Sequence, residues 1–198
     1  MKDIFEHSFS NAFSYGEYRA YVSNLLADGK STGHKQSEDL THYSKMNEAR
    51  MNRLDKTIVI GDAQAAVFQS LHKKHTWLVL SEGWCGDAAQ ALPVMHKLVS
   101  FSENIDLKIV LRDDNAGLMD LFLTNGSRSI PKLIVLDEAF EVKALWGPRP
   151  EPAIDLVTHY KKLHGVFDDA GKTALQLWYT KDKGNAIQQE LAALMENL

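Results

Sequence analysis

Apolar positions along this chain switch between helical spacing and short continuous runs, and that switch outlines an α/β protein. Between Ser14 and Ala27, Tyr18, Tyr21, Val22, Leu25 and Leu26 fall on one helical face, and Ser14 with Glu17 makes a capping box. Gly29 and Gly33 interrupt the pattern. A second helix is predicted over Ser37–Leu54, with Glu38 and Asp39 in its first turn and Leu40, Tyr43, Asn47, Met51 and Leu54 on a stripe read as core packing. From Thr57 the period changes. The β-branched run Thr57–Ile60 predicts a short strand ended by Gly61, and Asp62 caps a helix through His72. Thr76–Ser81 is a continuous apolar run, the signature of a strand buried on both faces.

A long helix is expected from Gly86 to about Ser102, because Ala88, Ala91, Leu92, Met95, Leu98 and Val99 hold their spacing across Pro93. Asp106–Leu111 reads as a strand, Ala116–Leu123 as a short helix, and Lys132–Leu136 with Glu141–Leu145 as a hairpin. Glu151–Leu163 is a helix with Pro150 and Pro152 at its start, where proline is tolerated. The predicted order is β-α-β-α-β-α-β-β-α, a mixed sheet with helices on both faces and an antiparallel edge. This core spans 57–164, after an N-terminal helical extension (1–56) and before a C-terminal tail (165–198). The tail has a polar break near Lys181–Asn185 and a last helix marked by Ile187, Leu191, Leu194 and Met195.

Composition narrows the function classes. A chain of 198 residues buries enough surface to need neither disulfide nor metal for its core. A net charge of −4 and the lack of any Lys/Arg run argue against a nucleic-acid partner. No apolar run approaches the length needed to span a membrane, and Asp3, Glu6 and His7 interrupt Met1–Phe13 where a secretory signal would be continuous. The single cysteine makes no internal disulfide and fits a reducing compartment, so a cytoplasmic location is expected. The oligomeric state stays open.

That cysteine is the candidate for chemistry. Cys85 lies between a buried strand and the first turn of a helix, where free N–H groups and the helix dipole favour a thiolate. A lone cysteine also packs well as an inert core residue, but a strand-to-helix junction is where α/β sheets place their sites. His72 and His75 have a metal-compatible spacing without a third ligand, so no metal and no cofactor are expected.

Trp84-Cys85-Gly86 resembles the start of the thioredoxin active-site motif, and three further landmarks agree with it. Pro93 stands where thioredoxins carry a proline in the helix after the cysteine, Ser129-Ile130-Pro131 resembles their cis-proline loop, and Gly147 matches a family glycine. The resemblance covers about Thr57–Leu163. It identifies a bacterial thioredoxin-like protein with Trp84-Cys85-Gly86-Asp87-Ala88 in place of the family's Trp-Cys-Gly-Pro-Cys. It implies the thioredoxin fold, Cys85 as the catalytic residue, and Ile130 with Pro131 facing the substrate, the Ile130 backbone pairing with an extended peptide.

The departures bear on function. Ala88 replaces the resolving cysteine, and the family's buried acid would fall near Val79, which is apolar. Asp87 and Glu82 would raise the thiol pKa by like-charge repulsion, while Arg112, Arg128 and Lys132 would offset this if they point into the site. Three functions follow. In the first, an exposed, moderately acidic Cys85 attacks a disulfide or peroxide, with a protein disulfide or low-molecular-weight thiol as substrate, and an external thiol completes the cycle. In the second, the groove between Trp84 and Pro131 binds without redox chemistry. In the third, Cys85 is a thiol sensor without turnover.

Overall fold

Four strands form the sheet that positions the cysteine. The computed structural model describes residues 2–198, so Met1 of the Met1–Phe13 stretch lies outside the described residues. The helices are α1 (Lys2–Ser10), α2 (Tyr15–Ala27), α3 (Glu38–Thr57), α4 (Asp62–Gln69), α5 (Gly86–Val99), α6 (Ala116–Leu121), α7 (Glu151–His164), α8 (Asp169–Asp182) and α9 (Asn185–Glu196). The strands are β1 (His75–Ser81), β2 (Ile105–Leu111), β3 (Lys132–Leu136) and β4 (Val142–Trp146). They lie in the order β2-β1-β3-β4, with β1 parallel to β2 and antiparallel to β3, and β3 antiparallel to β4. All of β3 and nearly all of β1 are buried, which requires cover on both faces of the sheet. The fold is a thioredoxin fold with helical extensions.

The strand expected at Thr57–Ile60 does not form. Helix α3 runs on through Thr57, and the following residues leave it extended but join no sheet. A four-residue β-branched run is a strand only if a ladder receives it, and here a side chain does instead. The Gln188 amide on α9 donates to the Val59 carbonyl at 3.1 Å and accepts the Gly61 N–H at 3.1 Å. The outer edge of β2 is met at a single point from the N-terminal extension, where Phe13 and Ile109 exchange two backbone hydrogen bonds of 2.8 Å.

Other departures are smaller. The helix expected to His72 ends at Gln69, and Gly61, not Asp62, is its N-cap. The Ser14–Glu17 capping box forms with both reciprocal bonds. Two helices were not expected. Helix α1 buries Phe5 against the Phe122 ring at 6.2 Å, and α8 starts at Asp168, which accepts the Gly171 N–H at 3.0 Å. Lys183 and Gly184, both left-handed, turn the chain from α8 into α9 at the predicted polar break. Among the described residues, no helix is long and apolar enough to cross a membrane.

Candidate functional site: a closed thiol on the floor of a cationic cleft

Strand β1 ends at Ser81, and the turn Glu82–Trp84 delivers Cys85 to the N-cap of α5. The Cys85 N–H donates to the Glu82 carbonyl at 3.0 Å, which closes that turn. The thiol donates to the Ile130 carbonyl at 3.3 Å, and its sulfur accepts the Ala88 N–H at 3.4 Å. Only 8% of the residue is exposed.

This environment overturns the expectation of an exposed, acidic thiol. Burial pushes the Cys85 thiol up to about 12, and the Asp87 carboxylate adds to the rise. The helix-terminal N–H groups of Ala88 and Asp87, and the Arg149 guanidinium, act in the opposite direction without prevailing. Thus the dipole argument is right in sign and too small against desolvation.

The charged neighbours are only partly those the sequence nominates. Asp87 does repel the thiolate, whereas Glu82 is engaged at the Asp113 backbone. Glu82 is fully buried, accepts the Asp113 N–H at 3.0 Å, and leaves its Oε2 without a partner among the described residues. Burial raises its carboxyl pKa. None of the three nominated cations offsets the charge on Asp87. Arg112 pairs with Asp113 at 2.7 Å and lies over the Trp84 ring, Arg128 pairs with Asp120 at 2.6 Å, and Lys132 donates to Thr124 at 3.0 Å. The offsetting cation is Arg149, 2.6 Å from Asp87 Oδ2, in the loop after Gly147. Tyr179 on α8 completes the group by donating to Asp87 Oδ1 at 3.0 Å. Burial pushes the Asp87 carboxyl up, while Arg149 and Tyr179 pull it down.

The other motif residues fall around this centre. Ala88 is buried in the core, and Gly86 opens the first turn of α5. The Ile130–Pro131 peptide bond is cis, as is Gly147–Pro148. Gly147 has φ +105°, and a Cβ there would sit 2.3 Å from the Pro131 carbonyl oxygen, so glycine alone permits the two loops to meet. The Ile130 carbonyl already accepts the thiol, so of the backbone groups expected to pair with a peptide only its N–H stays unpaired among the described residues.

Above the thiol opens a cleft of about 480 Å³. Its walls come from four places: Leu40, Tyr43 and Arg50 on α3, the Cys85 motif with its two proline loops, Arg112 after β2, and the segment around α8. Leu40 and Tyr43, read from their spacing as core packing, are cleft wall instead. Sequence reasoning missed Arg50, Arg149, Gln176 and Tyr179. For α8 a signal existed: Asp168 as a cap followed by Leu175, Trp178 and Tyr179 at helical spacing. Of the two spaced histidines, His75 donates from Nδ1 to the Lys73 carbonyl, 3.1 Å away. No cluster of three or more metal-ligating side chains occurs among the described residues.

Comparison with known proteins supplies an independent view. A family model described as Thioredoxin matches residues 33–161. The chain is similar to the crystal structure of a protein of unknown function from Pseudomonas aeruginosa, at 18% identity and a TM-score of 0.58, over 93% of this chain and 98% of that one. It is equally similar to a crystallised HIV epitope-scaffold, at 20% identity and a TM-score of 0.58, over 94% of this chain and 99% of that one. Likeness at these identities speaks to the fold alone. No curated protein matches the sequence.

Proposed function

This chain belongs to the thioredoxin family, and we propose that it is a single-thiol member whose cleft binds a ligand over Cys85 while the thiol rests protonated. The observation that carries this reading is the state of the sulfur. It is buried, it donates to the Ile130 carbonyl, and its pKa is pushed up to about 12. The thiolate is the nucleophile in exchange, so at neutral pH such a group reacts slowly. With Ala88 in place of a second cysteine, a mixed disulfide once formed has no internal resolving group. A lone thiol of this kind suits a reducing compartment such as the cytoplasm.

One observation favours a second reading, thiol–disulfide exchange. The Ala88 N–H and Arg149 both act on the sulfur in the direction that stabilises a thiolate. In that reading the Cys85 thiolate attacks a protein or low-molecular-weight disulfide, forms a new S–S bond and expels one thiolate. An external thiolate then attacks the mixed disulfide, takes over the bond to the outer sulfur and returns Cys85 to its reduced form.

Mass spectrometry of the folded protein incubated with a small-molecule disulfide at neutral pH separates the two. Binding with a resting thiol gives mixed disulfide more slowly than an unstructured cysteine peptide does. Rapid, complete conversion, reversed by added thiol, would replace the first reading with the second.

A further inference from the structure

The cleft over Cys85 has a charge pattern that the thiol chemistry does not use. Among the described residues five cationic side chains line it, namely Arg50, Arg112, Arg128, Arg149 and Lys172, against the single carboxylate Asp87, in a chain whose net charge is −4. Four of the five are already neutralised by an acid. Arg112 is held by Asp113, Arg128 by Asp120, Arg149 by Asp87 and Lys172 by Asp169. Arg50 is the exception. Among the described residues its one hydrogen-bond acceptor is the Asn47 side-chain oxygen, 2.7 Å from Nη1, and no carboxylate pairs with it. The guanidinium has five N–H donors, so most of them are free. It is half-buried, and Arg53 nearby adds positive charge.

A second unpaired donor meets it at the same point. The Gln176 oxygen accepts from Gln90 Nε2 at 2.8 Å, which fixes the Gln176 amide and leaves its own Nε2 without a protein acceptor among the described residues. Both donors stand over Gly86. A Cβ at that residue would lie 3.2 Å from Gln176 Nε2 and 3.7 Å from Arg50 Nη1. Beneath them is the first turn of α5, whose dipole also favours negative charge. The rest of the nearby wall is apolar and aromatic: Leu40, Tyr43, Phe167, Leu175 and Trp84.

We infer that the cleft takes an organic acid, with its oxyanion head on Arg50 and Gln176 above Gly86 and an apolar body along the aromatic wall. The inference rests on the reading of the cleft as a binding site and adds the chemical class of its ligand. Carboxylate and phosphate monoester heads share the chemistry that the Arg50 fork and the Gln176 amide recognise. The cleft is of a size that holds a small molecule rather than a folded partner.

Calorimetric titration with four probes tests this: phenylacetate, phenyl phosphate, benzyl alcohol and benzylamine. The acids are expected to bind at least about tenfold more tightly than the alcohol and the amine, the loss that follows when a charge-assisted hydrogen bond goes unmade. Their affinity falls with added salt. The ratio between phenylacetate and phenyl phosphate tells which head the cradle prefers. Arg50→Gln and Gln176→Glu are each expected to weaken the acids by about tenfold or more, with urea unfolding midpoints confirming that each variant folds. Equal binding of benzyl alcohol and phenylacetate, or acid affinity indifferent to both variants, would overturn the inference. Protection of Cys85 from alkylation, run in parallel, keeps its failure distinct. If benzyl alcohol protects as well as phenylacetate, the cleft still binds ligands and the acid class is wrong. If no probe protects, both fall.

Discussion

The two helical extensions hold the Cys85 turn and the start of α5 with different chemistry. The N-terminal side holds the backbone with neutral groups. Thr32 Oγ1 accepts the Gly83 N–H at 2.8 Å, and Asn47 Nδ2 donates to the Gly83 carbonyl at 2.9 Å, both side chains being buried. The C-terminal side holds side chains, and one of them is a carboxylate that pairs with Arg149 of the core. Gln176 accepts from Gln90, and Tyr179 donates to the Asp87 carboxylate that Arg149 neutralises. A neutral clamp on backbone fixes where the turn goes and is indifferent to pH. An ionic clamp beside a thiol also sets the field in which that thiol titrates.

Breaking the ionic side is expected to cost most. Asp87→Ala leaves Arg149 without its counter-ion and Tyr179 without its acceptor. A quarter of the Arg149 side chain is exposed, so the loss falls at the low end for a broken buried pair, about 3 kcal/mol in urea denaturation. On the neutral side, Asn47→Ala orphans the Gly83 carbonyl and is expected to cost about 2 kcal/mol, by the same amount at acid and neutral pH. A strong pH dependence of that penalty would break the contrast between the two clamps. Tyr179→Phe removes one bond to Asp87 and is expected to cost about 1 kcal/mol.

The effect at Glu82 is read in a slope rather than at one pH, and its sign is diagnostic. Burial holds this carboxyl above its ordinary value of 4.5 in the folded chain. The native state therefore keeps its proton after the unfolded chain has lost it. That contribution to stability is full below about 4.5 and is lost as pH rises through the higher native value. Glu82→Gln is expected to flatten the decline in unfolding free energy over that window. An unchanged slope would mean that Glu82 ionises in the folded protein as it does in water.

The part of this site that was legible in the sequence is the part made locally. The strands β1, β2 and β3 fall within a residue of their apolar runs, the Ser14–Glu17 box caps its helix, and Cys85 sits at the predicted junction. Each of these depends on residues a few positions apart. What was not legible depends on distant ones. Tyr179 reaches Asp87 across 92 positions, and Gln188 reaches Gly61 across 127. No local periodicity announces either contact. Likewise the Thr57–Ile60 run has strand propensity, but its backbone partners are decided by α9. The family match begins at residue 33 and so takes in α3, which the motif resemblance left out. That helix supplies Asn47 and Arg50, one holding the turn and the other facing the cleft.

The central claim, that Cys85 rests as a protonated thiol held by burial and by Asp87, is tested most directly by the pH dependence of its alkylation. Folded wild-type protein would be run beside Asp87→Asn, with Cys85→Ser as the blank. The rate is expected to keep climbing up to about pH 10 without a plateau, since the thiol lies near 12. Asp87→Asn is expected to shift the curve to lower pH. A fast reaction with a midpoint below about 7.5, unmoved by Asp87→Asn, would contradict the claim and mark Cys85 as an activated thiolate.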